Sequence, residues 1–238
     1  MAPFEVLNPQ GQAPLVLTCE HASCAIPVEY DDLGLESQEI REHIGWDIGA
    51  RHVTEILAQH CDAVAVLGGV SRLLIDCNRD LSDHDLIIAE SHGVRVPGNA
   101  HIDTVERERR IRDFYRPYHE AIDGVLAQGP GAFLLSVHSF TSTLNGRVRR
   151  FDAGVLFDDY VVEAERFGGA LATSGLRVRY NQPYSGLEGL IFSARTHGQR
   201  HQVRYLELEI NNGLLREASA IRRIAEQIAA ALRSLLEA

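Results

Sequence analysis

The sequence predicts a three-layer α/β/α fold built on a mostly parallel or mixed sheet. Short runs rich in branched or aromatic residues alternate with longer segments of helical spacing along the whole chain. The short runs are almost continuously apolar, which suits strands covered on both faces. With 238 residues, 45% hydrophobic and 24% charged, the chain is long and apolar enough to bury one sizeable core. No repeat, low-complexity tract or linker interrupts it, so a single domain spanning residues 1–238 is expected.

Strands are expected at residues 15–19, 63–67, 73–76, 133–137, 154–157 and 203–210. Helices are expected at residues 36–59, 104–127, 160–174 and 214–236. The second helix opens with Asp103 three residues before Glu106, a spacing that resembles a capping box. The last helix carries Leu214, Ala218, Ile221, Ala225, Ile228, Leu232 and Leu235 at alternating steps of four and three. That stripe is read as a face packed on the protein's own sheet. Residues 82–100 are polar, with Gly93, Pro97 and Gly98, and read as a long loop of the kind that covers active sites.

Composition excludes several functions. A net charge of −10 makes the chain a poor general nucleic-acid binder, which needs Lys and Arg to displace counterions. The arginine-dense run ERERRIRDFYR is a local exception, expected to be a solvated, salt-bridged helix face. No apolar run approaches the roughly 20 residues of a membrane helix. The start MAPFEVLNPQ lacks the basic and apolar regions of a secretory signal. Cys19, Cys24, Cys61 and Cys77 show no CxxC pair and are expected to be reduced core residues in a cytoplasmic protein.

Function is read from the strand ends. In open α/β sheets, ligands bind beyond the carboxyl ends of the strands. Here VLTC runs into Glu20 and His21, LLID into Cys77, Asn78 and Arg79, and FLLSV into His138 and Ser139. YLELEI carries Glu207 and Glu209, and His43 precedes Gly45, Trp46 and Asp47. Taken singly, each has a structural reading: a hydrogen-bonded histidine, a turn with a buried ion pair, glutamates facing solvent. Together, histidines and carboxylates at one sheet edge are what a divalent metal requires. A catalytic zinc takes three protein ligands and a water, with a further carboxylate as proton acceptor. An arginine behind Asp-x-Asn supplies a planar fork suited to a carboxylate. No GxSxG elbow and no GxxxxGK phosphate loop is present. The residues alone therefore point to a metal-dependent hydrolase.

The motifs LTCEHAS, HIGWDIGA, SRLLIDCNRD, FYRPYHEAI, LLSVHSFT, NQPYSG and LELEIN, in this order over residues 16–212, resemble the N-formylglutamate amidohydrolase family. That family is similar in turn to zinc carboxypeptidases and aspartoacylases. The resemblance implies a carboxypeptidase-like fold, one zinc per chain, and hydrolysis of a formyl or short acyl group from an amino acid such as N-formyl-L-glutamate.

Carried over by residue, the resemblance makes His21 and His138 metal ligands and Glu209 the general base. Asp47 is the expected third ligand, with Glu20 as the alternative. Asn78 and Arg79 match the pair that grips a substrate carboxylate, and Arg72 is placed to stabilise the oxyanion. Tyr184, in a loop expected to be mobile, is placed to close over the substrate. His119, one turn after Tyr115, is read equally as core or site. LELEINNGLL has Asn211 where the resemblance leads one to expect an arginine, a departure that bears on the substrate. The rival readings are another N-acyl amino acid or small peptide as substrate, and a carboxylate-binding protein without catalysis. Oligomeric state is left open.

Overall fold

Strand alternation sorts the side chains of the central sheet into two populations. The computed structural model describes residues 1–129, 133–144 and 146–237. Its main sheet has seven strands: β1 (Phe4–Leu7), β2 (Leu15–Cys19), β3 (Val64–Gly68), β4 (Phe133–Phe140), β5 (Ala153–Leu156), β6 (Val178–Tyr180) and β7 (Tyr205–Asn211). They lie in the order β1-β3-β2-β4-β7-β5-β6. The four central strands β3, β2, β4 and β7 are mutually parallel. β1 runs antiparallel to β3, and β5 antiparallel to β7, so the sheet is mixed.

Because successive side chains on a strand point to opposite faces, Leu17, Cys19, Leu135, Val137, Leu206, Leu208 and Ile210 share one core. That core is completed by α2 (Ala50–His60), α5 (Val161–Thr173) and α7 (Ala218–Leu236). The opposite face carries Val16, Leu134 and Tyr205 against α4 (Arg116–Gln128) and α6 (Phe192–His201). These are the three layers. Each fully buried leucine or isoleucine contributes about 1.5–3 kcal/mol by leaving water. On α7 the stripe buries Ala225, Ile228, Leu232 and Leu235, and the helix packs against α2 and α5.

Several elements differ from their sequence reading. The span 36–59 is two helices, α1 (Ser37–Arg41) and α2. Between them the chain leaves helical geometry so that the Asp47 N–H can reach the His21 carbonyl at 3.0 Å. Gly49 then takes a left-handed φ of 84°, and a Cβ there would strike Leu215 at 2.5 Å. Residues 73–76 form no strand: Leu74 N–H closes a turn on the Ser71 carbonyl at 2.9 Å.

The span 104–127 bends through a π-turn (Ile111–Tyr115) between α3 (Thr104–Arg110) and α4. Pro117 lacks an N–H to continue the regular ladder, and Arg116 N–H bonds instead to the Ile111 carbonyl. Asp103 Oδ1 accepts from Glu106 N–H at 2.8 Å, as its spacing suggests. The arginine run is only partly a solvated face. Glu106 pairs with Arg109, but Arg110 is buried and donates to the Leu74 carbonyl and Asn99 Oδ1. It thereby ties α3 to the loop before it.

Residues 82–100 contain two 3-10 turns and a hairpin of two-residue strands (Glu90–Ser91, Val94–Arg95). The NQPYSG segment is anchored: Asn181 Oδ1 accepts from the backbone N–H groups of Phe157 and Gly186, both at 3.0 Å. All four cysteines are free thiols, with Cys19 and Cys77 buried. Among the described residues no helix is long and apolar enough to cross a membrane.

Candidate active site

The alternation that builds the apolar core also builds the site. Thr18 and Glu20, Ser136 and His138, and Glu207 and Glu209 all lie on the α4/α6 face, within β2, β4 and β7 or, for Glu20, just beyond the end of β2. The parallel register sets Glu209 beside His138 and Glu207 beside Ser136. On the other side of β7, Gly154 pairs with Glu209, where a Cβ would strike the Gln182 carbonyl at 1.9 Å. Only glycine lets the Gln182 backbone pack so closely against β5 at the position paired with Glu209. Both glutamates are buried, not solvent-facing.

His21, Asp47 and His138 form a buried group whose donor atoms lie within 4.8 Å of one another. Asp47 Oδ2 is 2.8 Å from His138 Nδ1 and 3.5 Å from His21 Nδ1, and it accepts from Ser139 N–H at 3.1 Å. The far nitrogen of each imidazole is held by another carboxylate. His21 Nε2 lies 2.7 Å from Asp76 Oδ1, and His138 Nε2 lies 2.9 Å from Glu20 Oε2. A carboxylate behind a histidine fixes its tautomer and aims its other nitrogen. Glu20 is itself fixed by Ser136 Oγ at 2.6 Å and the Tyr118 hydroxyl at 3.0 Å. Asp47 thus stands between the two Nδ1 atoms, and Glu20 stands behind one ring.

Charge in the site is unbalanced. Glu20, Asp47, Asp76, Glu207 and Glu209 are all buried there, with Arg72 bridging Asp76 Oδ2 at 3.0 Å and Asp47 Oδ1 at 3.5 Å. Burial works to raise the Glu20 carboxyl, yet His138 and Ser136 outweigh it and hold it well below the usual range. Burial likewise opposes the His21 and Arg72 charges at Asp76, and the charges prevail and hold that carboxyl low. Burial works to lower His138, but Glu207, Asp47 and Glu20 hold it well above an ordinary histidine. Burial pushes Glu207 up to about 7 against the pull of His138. Burial and the Asp47 charge raise Glu209 well above the usual carboxylate range.

This arrangement suits a divalent cation. Among the described residues, His21 Nδ1 and Glu209 Oε2 are buried with no hydrogen-bond partner. A buried orphan nitrogen aimed at a shared carboxylate is costly unless something occupies the point between them. Two imidazoles and a carboxylate are a donor set that zinc accepts. A second grouping, Asp83, His84 and Asp85, lies at the surface with the His84 side chain 90% exposed, where solvent satisfies it.

His21, Asp47, Asp76, His138, Glu207 and Glu209 line one cleft of about 240 Å³ that also includes Arg72, Asn78, Arg79 and Tyr184. Asn78 accepts from Ser193 N–H at 2.9 Å through Oδ1 and donates to Glu207 at 3.1 Å, which leaves one amide hydrogen unused. Arg79 lies 3.4 Å from Asp83, and its carbonyl accepts from the Tyr115 hydroxyl at 2.8 Å. Asp85, Ile88, Ser91 and His92 bring the 82–100 segment to the rim. His43 Nδ1 lies 3.8 Å from Asp47, and burial lowers its pKa to about 4. His119 is outside the cleft, bonded to His197 at 2.8 Å.

Sequence reasoning missed the roles of Asp76, Ser136 and Tyr118. Asp76 had a signal, because Asp-x-Asn-Arg was read as a turn with a buried ion pair. Ser136 and Tyr118 had none beyond their places inside quoted motifs.

Comparison with known proteins bears on this geometry. A gene product from Agrobacterium tumefaciens is 29% identical, with a TM-score of 0.91 over 99% of this chain and 95% of its own. An N-formylglutamate amidohydrolase from Ralstonia eutropha JMP134 is 21% identical, with a TM-score of 0.78 over 99% of this chain and 98% of its own, and shares the fold. Among curated proteins, none matches the chain significantly by sequence. The family model for N-formylglutamate amidohydrolase matches residues 13–216, which include every residue of the cleft. The chain therefore belongs to the N-formylglutamate amidohydrolase family, whose members hydrolyse an amide bond.

Proposed function

We propose that the protein is a zinc-dependent amidohydrolase that removes the formyl group from an N-formyl amino acid, with N-formyl-L-glutamate the first candidate. The observation that carries this reading is the convergence of His21 Nδ1, His138 Nδ1 and Asp47 Oδ2 beside Glu209, whose Oε2 is buried and unpartnered. His21, Asp47 and His138 would hold the metal. When bound, zinc supplies Lewis-acid polarisation and a water of near-neutral pKa.

Glu209 takes a proton from the water that attacks the formyl carbon, then returns it to the departing amine nitrogen. Glu209 stands beside His138 with Oε2 buried and unpartnered, free to accept that proton and give it back. Arg72 donates hydrogen bonds toward the oxygen that becomes negative in the transition state. Arg79 and the free amide hydrogen of Asn78 hold the α-carboxylate, and Tyr184 covers the cleft. Glu20 and Asp76 keep the two imidazoles oriented through the reaction.

The experiment is turnover of N-formyl-L-glutamate by purified protein before and after chelator treatment, with release of formate measured. Activity that survives complete metal removal would reject the zinc reading. A chain without formate release under any metal condition would reject N-formyl-L-glutamate as the substrate.

A further inference from the structure

The cleft arginines differ in how far their charge is already satisfied. Arg72 is held by Asp47 and Asp76, and Arg79 by Asp83. Arg149, beside the cleft, has no carboxylate partner among the described residues. Its guanidinium donates to Thr141, to the carbonyl at 3.2 Å and to Oγ1 at 3.3 Å. It lies 5.4 Å from the ring centre of Phe140 and 5.6 Å from that of Tyr184, and Tyr184 lines the cleft. The Tyr184 hydroxyl is raised by burial and by the Glu209 charge, with Arg149 pulling the other way. Tyr184 and Glu209 thus line the same cleft, and Arg149 lies against the Tyr184 ring.

Arg149 is also positioned, not merely nearby. It follows the hairpin of Thr143–Leu144 and Arg147–Val148, and its N–H closes that hairpin on the Ser142 carbonyl at 2.9 Å. Leu144 of the hairpin lines the cleft. Asn211, at the end of the strand that carries Glu207 and Glu209, donates to the carbonyls of Phe151 at 2.9 Å and Arg149 at 3.4 Å. Asn211 thus helps anchor the main chain of Arg149. A half-buried guanidinium without a counter-charge offers a planar fork to a carboxylate.

We infer that Arg149 is a specificity-determining residue that receives a second anionic group of the substrate, selecting N-acyl derivatives of acidic amino acids over their neutral amides. This rests on the amidohydrolase reading of the cleft, in which Arg79 holds the α-carboxylate. A charged hydrogen bond of this kind corresponds to about tenfold or more in affinity.

The test uses binding and turnover separately on the zinc-loaded protein. Binding is measured by calorimetry with N-methyl-L-glutamate, which carries both carboxylates of the substrate, and N-methyl-L-glutamine, which carries only the α-carboxylate; neither has a formyl C–N bond to cleave. Turnover is measured with N-formyl-L-glutamate and N-formyl-L-glutamine. The wild type is expected to favour the glutamate member of each pair by about tenfold or more. Arg149→Met is expected to reduce that ratio to about two, and Arg149→Lys to keep most of it. Circular dichroism establishes that both variants are folded. A wild type that binds both N-methyl compounds equally, or an Arg149→Met ratio unchanged from wild type, overturns the inference while leaving hydrolysis intact. Retained binding preference without formate release overturns the deformylase reading and leaves Arg149 as an anion selector.

Discussion

Glu20 Oε2 lies 2.9 Å from His138 Nε2, while Asp47 Oδ2 lies 2.8 Å from the other nitrogen of the same ring. Two carboxylates that were rivals for one ligand position therefore grip opposite sides of one imidazole. The division follows from the chain path. Glu20 continues β2 on its α4/α6 face and meets Ser136, whereas Asp47 comes from the break between α1 and α2.

Glu20→Gln should test the orienting role. Losing the carboxylate behind His138 is expected to weaken zinc binding by about 10–100-fold while the fold persists. Competition with a chromogenic chelator gives the affinity directly. An unchanged affinity would show that His138 needs no partner at Nε2. Asp76→Asn should act alike through His21, with a further loss of turnover because Asp76 also holds Arg72 at 3.0 Å.

Glu209→Gln should separate metal binding from proton transfer. Zinc content is expected to stay near wild type while kcat falls by about 10²–10⁴. Metal analysis and formate release on the same preparation check both halves. A Glu209→Gln protein that remains active places the base elsewhere, with the buried Glu207 the next candidate.

Acid should destabilise the protein through a histidine pair outside the cleft lining. Burial lowers His119 to about 3, and burial also lowers His197, whose Nδ1 faces Asp123 at 2.8 Å. A histidine depressed in the folded state contributes full stability above its unfolded pKa near 6.5 and loses it as pH falls toward the folded value. Unfolding free energy is expected to drop below pH 6.5 by about 1.4 kcal/mol per pH unit for each proton the unfolded chain gains. Urea midpoints between pH 7 and 5 measure this slope, and His119→Gln should make it shallower. An identical slope in that variant would remove His119 as a contributor.

Leu232→Ala should cost about 2–5 kcal/mol of stability, because the side chain is fully buried between α7 and the sheet layer. Denaturant unfolding gives the loss, and the folded fraction should keep its zinc. A cost below about 1 kcal/mol would mean that this part of the core collapses around the cavity.

The sequence was most legible where periodicity and burial coincide. The α7 stripe, β2, β4 and β7 follow their patterns because their apolar residues meet one continuous core. Legibility failed where a local backbone bond competes with periodicity. The Asp47 N–H bond to His21 ends the helical pattern at 36–59, and the Ser71–Leu74 turn replaces a strand at 73–76. α6 was invisible because its buried face is Ser193, Ala194, His197 and Gly198, which offers no apolar stripe. In the site, strand ends showed which polar residues to watch. They did not show that Asp76 and Glu20 back the histidines, because those pairings join residues 55 and 118 positions apart.

Metal analysis of purified protein, paired with formate release from N-formyl-L-glutamate in wild type and His138→Ala, tests the proposed site most directly. The expected result is about one zinc per chain and turnover in the wild type, with both lost in a folded His138→Ala protein. Full zinc occupancy in folded His138→Ala, or wild-type turnover without any bound metal, would contradict the proposed centre.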